Sequence, residues 1–195
     1  MIWSMIDIAS GLACRVLRNL AGTAARLARC GEGHAMVEFG LVAAPFVALL
    51  FAIIETAIIF FAGQTLETAT AEAARLILTG QAQSQAFDAT KFKNAVCANI
   101  YAIFDCPNGI YIDVRTFSSF SSVTMPNPVD GQGNFQNSSF TYQPGGPGDI
   151  VVTRVFYQYP VYVSLLGFNL ANVSGGKRLL TATAAFRNEP YGGIL

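Results

Sequence analysis

The sequence predicts an α+β protein, in which a long N-terminal helix crosses a membrane and continues into a small exported domain built on an antiparallel sheet. Three observations carry this. The run Phe39 to Gly63 holds a single charge, Glu55. Apolar residues then recur at helical spacing through Leu66, Ala69, Ala73 and Leu76 or Ile77, up to Gly80. After Gly109 the pattern changes to strand-like alternation in three separate stretches. A composition of 52% hydrophobic and only 12% charged residues fits an apolar segment of this kind better than a wholly soluble domain.

At about 1.5 Å per residue, Phe39–Gly63 would span roughly 37 Å as a helix, enough for a hydrocarbon core of about 30 Å. A core helix of a soluble domain would be shorter and apolar on one face only. Pro45 removes a backbone donor and crowds the carbonyl of Leu41, so a local bend is expected there, which membrane helices tolerate. Beyond the membrane, Glu67 and Glu72 fall on other faces than the apolar stripe, Arg75 stands three residues after Glu72, and Gly80 suits a helix C-cap. One helix is therefore expected over 34–80, with its transmembrane part at about 39–63.

Charge sets the direction of insertion. Arg15, Arg18, Arg26 and Arg29 against Asp7 and Glu32 make the segment before His34 net +2, whereas the remainder is net −2, with no Lys or Arg between His34 and Arg75. The positive-inside rule places the N-terminus in the cytoplasm and the C-terminal part across the membrane. Residues 1–33 do not read as a secretory signal: no basic residue precedes Arg15, and Asp7 interrupts the apolar part. Gly11–Cys14, GLAC, only loosely matches a lipoprotein cleavage site. Ile2, Met5, Ala9, Leu12, Val16, Leu20, Ala24 and Leu27 recur at three- or four-residue steps, the pattern of a basic helix lying on the inner membrane surface.

In the exported part, 81–195, KFKNAVCANIYAIF (Lys91 to Phe104) places Phe92, Val96, Ile100 and Ile103 on one helical face. GIYIDVRTF (Gly109 to Phe117) sets Ile110, Ile112 and Val114 against Asp113 and Arg115. Ile150–Tyr159 and Arg178–Arg187 read as further strands, with Pro160 at a bend or edge and SGGK as an entering turn. A sheet laid on the long helix would bury these faces. Ser118–Asp149, rich in Ser, Asn, Gly, Pro and Gln, reads as a long loop with a weak hairpin around Phe135 and Phe140. Cys14 and Cys30 fall in the leader. Cys97 and Cys106, nine positions apart in a compartment where disulfides persist, are expected to form a bridge.

The inventory argues against catalysis. The exported domain has no histidine and no glycine-rich phosphate loop, and Asp88, Asp105, Asp113, Asp130, Asp149 and Glu189 are scattered, so no catalytic residue and no cofactor are expected. His34, the chain's one histidine, stands at the membrane face, and no metal site is expected. Lys91, Lys93, Lys177 and Arg178 form no broad basic stripe, which argues against nucleic acid as a partner. Arg187 and Glu189, two apart on a strand, share a face and read as fastening the C-terminal end.

The stretch GHAMVEFGLVAAPFVALLF, Gly33 to Phe51, resembles the processing site of type IV prepilins and, more closely, that of the TadE-like pseudopilins of tight-adherence (Flp-type) pilus systems. A glycine, four residues and a glutamate lead into an unbroken apolar helix. EAARLILTG (Glu72 to Gly80) and AFRNEPY (Ala185 to Tyr191) are similar to the helix end and the C-terminal signature of such proteins, so the resemblance covers about half the chain. It implies a pilin-like protein cut after Gly33 by an aspartyl prepilin peptidase, leaving His34 as the new N-terminus and Glu38 as the fifth mature residue. It further implies that Glu38 pairs with the N-terminal amine of a neighbouring subunit and sets its axial register. A carboxylate heading an apolar helix is costly to bury alone and favourable when paired. The other reading of Glu38 is an interfacial residue helped by the helix dipole and water.

For Glu55, snorkelling to water at the outer interface stands beside an interhelical contact with a partner pseudopilin, since TadE-like sequences often carry an acid in this region. The implied place is the bacterial inner membrane, single-pass, with a periplasmic C-terminal domain. The implied partners are the peptidase, a second pseudopilin, the inner-membrane assembly platform, membrane lipid and, at the fibre, the major Flp pilin. From another class, an uncleaved membrane-anchored module binding an envelope ligand is the alternative. Cleavage after Gly33 separates the two.

Overall fold

The computed structural model describes residues 34–100, 104–163 and 169–191. Gly33, the leader helix expected before it, and Cys14 and Cys30 lie outside the described residues. The chain divides into two compact units after Leu50. The described part of the first is helical throughout, and the second carries the sheet.

Helix α1, His34–Leu78, is assigned without a break through Pro45. Its surroundings change along its length. From Met36 to Phe61 most large apolar side chains are exposed, Phe39, Leu41, Val42, Phe46, Phe51, Ile53 and Phe60 among them. Only 17% of the most apolar window is buried, which is the reverse of a soluble core helix. From Ala62 onward an amphipathic pattern takes over: Ala62, Leu66, Ala69, Ala73 and Ile77, three or four apart, are buried. The hydroxyls of Thr56, Thr65 and Thr68 donate to the carbonyls of Ala52, Phe61 and Gln64, four residues back, so they bring no unsatisfied donor to the helix surface. Gly80 ends the helix in a left-handed conformation, φ 77°, with its N–H donating to Ile77 O.

A short turn, α2 (Gln81–Ser84), leads to α3 (Ala89–Ala98), which Asp88 caps by accepting from the N–H of Lys91 at 2.7 Å. Phe92 and Val96 are buried as their spacing predicts, but α3 stops at Ala98, short of the expected Phe104. The disulfide supplies the reason. Cys97 and Cys106 are bridged with Cα atoms 5.8 Å apart, whereas nine helical residues would separate them by about 13 Å. The two cysteines therefore cannot share one continuous helix. Reducing this bridge should lower unfolding stability by about 2–3 kcal/mol, read as a shift of the urea midpoint of the detergent-solubilised chain with and without reductant.

A four-residue turn, α4 (Cys106–Gly109), enters β1 (Ile110–Phe117), and β2 (Ile150–Pro160) and β3 (Lys177–Arg187) follow in a three-stranded antiparallel sheet ordered β1-β2-β3. Register decides which residues share a face. Ile110, Ile112 and Val114 stand opposite Tyr157, Val155 and Thr153, which in turn stand opposite Leu180, Ala182 and Ala184. This face joins Leu66, Ile77, Phe92 and Val96 in one core. On the other face Tyr111 pairs with Phe156 and Asp113 with Arg154. The central strand β2 is buried on both faces from Ile150 to Tyr157.

The second face is covered by 118–149. This segment, expected as a long loop with a weak hairpin, has little regular secondary structure and lies against the sheet through its aromatic rings. Phe140 stacks on Phe156 with ring centroids 5.1 Å apart, and Phe135 lies 5.9 Å from Phe156 and 5.0 Å from Tyr111. An isolated bridge between Val129 and Phe135 marks the small hairpin predicted there. Asp130 holds its turn: its carboxyl accepts from the N–H groups of Gln132 and Asn134 and from the side-chain amides of Asn134 and Gln136. Those hydrogen bonds, from Asn134 first, keep its pKa below the ordinary aspartate value. Thr141–Gln143 then runs parallel beside the edge of β1, exchanging backbone bonds with Val114. That edge is thereby closed to a stray strand.

Candidate membrane and assembly site

The residues singled out in the sequence fall at separate places. Glu38 is exposed, the fifth residue of α1, among the uncovered side chains of Met36, Val37 and Phe39. Glu55, by contrast, is only 6% exposed. Its carboxyl accepts from the N–H of Tyr162 at 2.6 Å and from the N–H of Val163 at 3.0 and 3.1 Å, in the stretch just after β2. Two backbone donors left over where the strand ends thus meet an acceptor supplied by the helix. Neither backbone donor carried a signal in the sequence.

Sequence reading placed Asp113 and Arg115 on the polar side of β1, and they are there, but Asp113 is fully buried. Arg154 Nη2 donates to Asp113 Oδ2 at 2.7 Å, and Arg115 Nε donates to both carboxyl oxygens at 2.9 and 3.1 Å. The cluster also reaches into the covering layer. The Thr141 N–H donates to Asp113, Arg154 Nη1 to Pro126 O, and Arg115 Nη2 to Ser139 O. Arg154 lies over the Phe156 ring at 5.2 Å. One carboxylate between two guanidiniums therefore straps 126–141 onto the sheet. The available signal was charge in the middle of two apolar strands, Asp113 and Arg115 in IYIDVRTF and Arg154 in IVVTRVFY.

Tyr142 packs its ring against Phe92, centroids 5.6 Å apart, with its hydroxyl buried. Burial, with a smaller contribution from the Asp88 charge, pushes its pKa up to about 12. The folded state therefore holds this proton more tightly than the unfolded chain does. The stabilisation is complete below the unfolded tyrosine value of 10.0 and is lost as pH rises toward about 12. An alkaline spectrophotometric titration should lose its latest-titrating tyrosine in Tyr142→Phe, whose stability should depend less steeply on pH in that window.

At the C-terminal end, Asn188 is buried and donates its side-chain amide to Pro144 O and Gly146 O, both at 2.9 Å. Gln83 donates to Pro144 O and Gly145 O, the Glu189 N–H reaches Leu78 O, and the Tyr191 ring lies over Gly80, where an added Cβ would come within 2.2 Å of it. Arg187 Nε donates to Gly148 O. The stretch RNEPY thus ties the helix end, the end of the covering layer and β3 together. Fastening was expected of Arg187 and Glu189, while Asn188, its buried centre, was not anticipated.

The recesses among the described residues are open. One of them, of about 400 Å³ along Gln64, Thr68, Glu72 and Asn99, gathers no set of groups suited to acid–base or nucleophilic chemistry. No group of three His, Cys, Asp or Glu among the described residues is placed to hold a metal ion.

The family model described as TadE-like protein matches residues 33–75, from the glycine of the expected processing site to the last helical arginine. No curated protein and no solved structure matches the chain. The likeness to the TadE-like family is thus carried by the long apolar helix, residues 33–75.

Proposed function

We propose that this protein is a minor pseudopilin of a tight-adherence pilus system, anchored in the bacterial inner membrane with its sheet domain in the periplasm. The TadE-like match associates the chain with such a system. The observation that carries the finer reading is the conjunction at the head of the match: Gly33, four residues, Glu38, and then a helix most of whose large apolar side chains are exposed as far as Phe61. In water that surface would drive aggregation, and a bilayer or neighbouring helices are what it suits. In this reading an aspartyl prepilin peptidase cuts after Gly33, and Glu38 meets the new amine of an adjacent subunit. Helix-to-helix contacts with a second pseudopilin, the assembly platform and the major pilin then do the work. The protein performs no catalysis of its own.

Intact mass and N-terminal sequence of the membrane-extracted chain, from cells with and without the peptidase, test this. The chain should begin at His34 only when both the peptidase and Gly33 are present, and a Gly33→Leu variant should remain full length. Retention of residues 1–33 under all conditions would leave Glu38 without a new amine to meet and would favour an uncleaved anchored binding module.

A further inference from the structure

We infer that the stretch after β2, Val161–Val163, is a second membrane contact, in which the outer leaflet of the bilayer that holds α1 receives the Tyr162 side chain. This rests on the membrane-spanning reading of α1. It does not depend on cleavage or on any pilus partner.

The argument is one of level along the helix. Exposed large apolar side chains continue past Glu55, through Ile58, Phe60 and Phe61. Six residues separate Glu55 from Phe61, so the Glu55 Cα lies about 9 Å inside the limit of the apolar band. The carboxyl of Glu55 holds the Tyr162 and Val163 backbone directly, at 2.6 to 3.1 Å. Those residues are thereby fixed near the level of Glu55, within the outer part of the apolar band. The Tyr162 side chain points away from the protein, 79% exposed, beside a shallow apolar recess of about 170 Å³ shared with Phe51, Ile54, Ile58 and Tyr159. Tyrosine is a residue that partitions to the headgroup boundary, apolar ring inward and hydroxyl outward.

Irregular backbone at this depth is normally forbidden, because its N–H groups would face lipid unpaired. Here the two N–H groups of Tyr162 and Val163 are both satisfied, and by a side chain that would itself be costly to leave alone in the same place. Each half of the contact removes the other's penalty. This gives Glu55 a reason to be polar within an apolar run that requires no second subunit.

The test uses the full chain with its sole tryptophan removed, Trp3→Phe, reconstituted alone in phosphatidylethanolamine and phosphatidylglycerol vesicles carrying dibrominated acyl chains. Single tryptophans are introduced as Tyr162→Trp, as Leu50→Trp within the span, and as Phe120→Trp on the covering layer. Strong quenching at position 162 by bromines placed high on the chains, deeper quenching at 50 and none at 120 is the expected result. Adding Glu55→Ala should abolish most of the quenching at 162 while leaving that at 50 intact, and Glu55→Gln, which keeps an acceptor, should retain part of it.

If position 50 is quenched and 162 behaves like 120, the contact does not exist although the helix spans. Blue-shifted but unquenched emission from the Tyr162→Trp chain would mean that a second copy covers this surface, which also overturns the proposal. Absence of quenching at 50 would remove the spanning reading itself, and the proposal with it.

Discussion

Asp113→Ala is expected to lower the unfolding stability of the detergent-solubilised chain by about 3–5 kcal/mol, the range for removing one partner of a buried ion cluster. The size follows from what is left behind. Arg154 is 8% exposed and donates to Asp113 and Pro126, so deleting the carboxylate strands a guanidinium between the sheet and its cover. Asp113→Asn keeps the shape and one acceptor oxygen, and should fall between wild type and alanine. The double variant Asp113→Leu/Arg154→Met replaces the central pair with apolar groups and should recover much of the loss. Urea midpoints for the four chains provide the test. A loss under about 1 kcal/mol for Asp113→Ala would mean that the aromatic contacts of Phe135 and Phe140 hold the cover by themselves. The same variant should expose 118–149 to limited proteolysis, because the strap from Asp113, Arg115 and Arg154 to Thr141, Ser139 and Pro126 is what fixes a segment so poor in apolar residues.

Asn188→Asp is the second large effect expected, about 3 kcal/mol or more, with Asn188→Ala at about 2–3 kcal/mol. Alanine removes the amide from the part-buried carbonyls of Pro144, which keeps its bond from Gln83, and Gly146, which loses this donor. Aspartate is worse at neutral pH, since an ionised carboxylate would face those same two oxygens. Acidification should restore part of the aspartate variant's stability, because the protonated form regains one donor. The paired comparison separates the hydrogen bonds from side-chain volume, which Asn and Asp share. Equal stability of Asn188→Asp and wild type at neutral pH would show that the clasp is held by Tyr191 over Gly80 and by Glu189 on Leu78 alone.

The helix was legible because its signal is local. An apolar run long enough to cross a bilayer, followed by apolar residues at three- and four-residue steps, gives the element and the point near Ala62 where its surroundings change. Gly80 was legible as a terminator because a left-handed C-cap favours glycine whatever the remainder of the fold does. The strands were found with their ends correct to about a residue, since alternation and bounding turns are also local properties.

The sequence by itself thus determined an apolar, TadE-like helix joined to an α+β domain, and made the pairing of Cys97 with Cys106 the natural one. Tertiary structure decided what the polar residues inside that frame do. Glu55 became a cap for two N–H groups at Tyr162 and Val163, 107 and 108 residues further along the chain. Asp113 became the buried anchor of the segment that covers the sheet, and Asn188 became the centre of a clasp. The physical reason is common to all three. Periodicity reports which face of an element a side chain lies on, but whether that face meets water, lipid or another segment depends on strand register and on where distant backbone comes to rest.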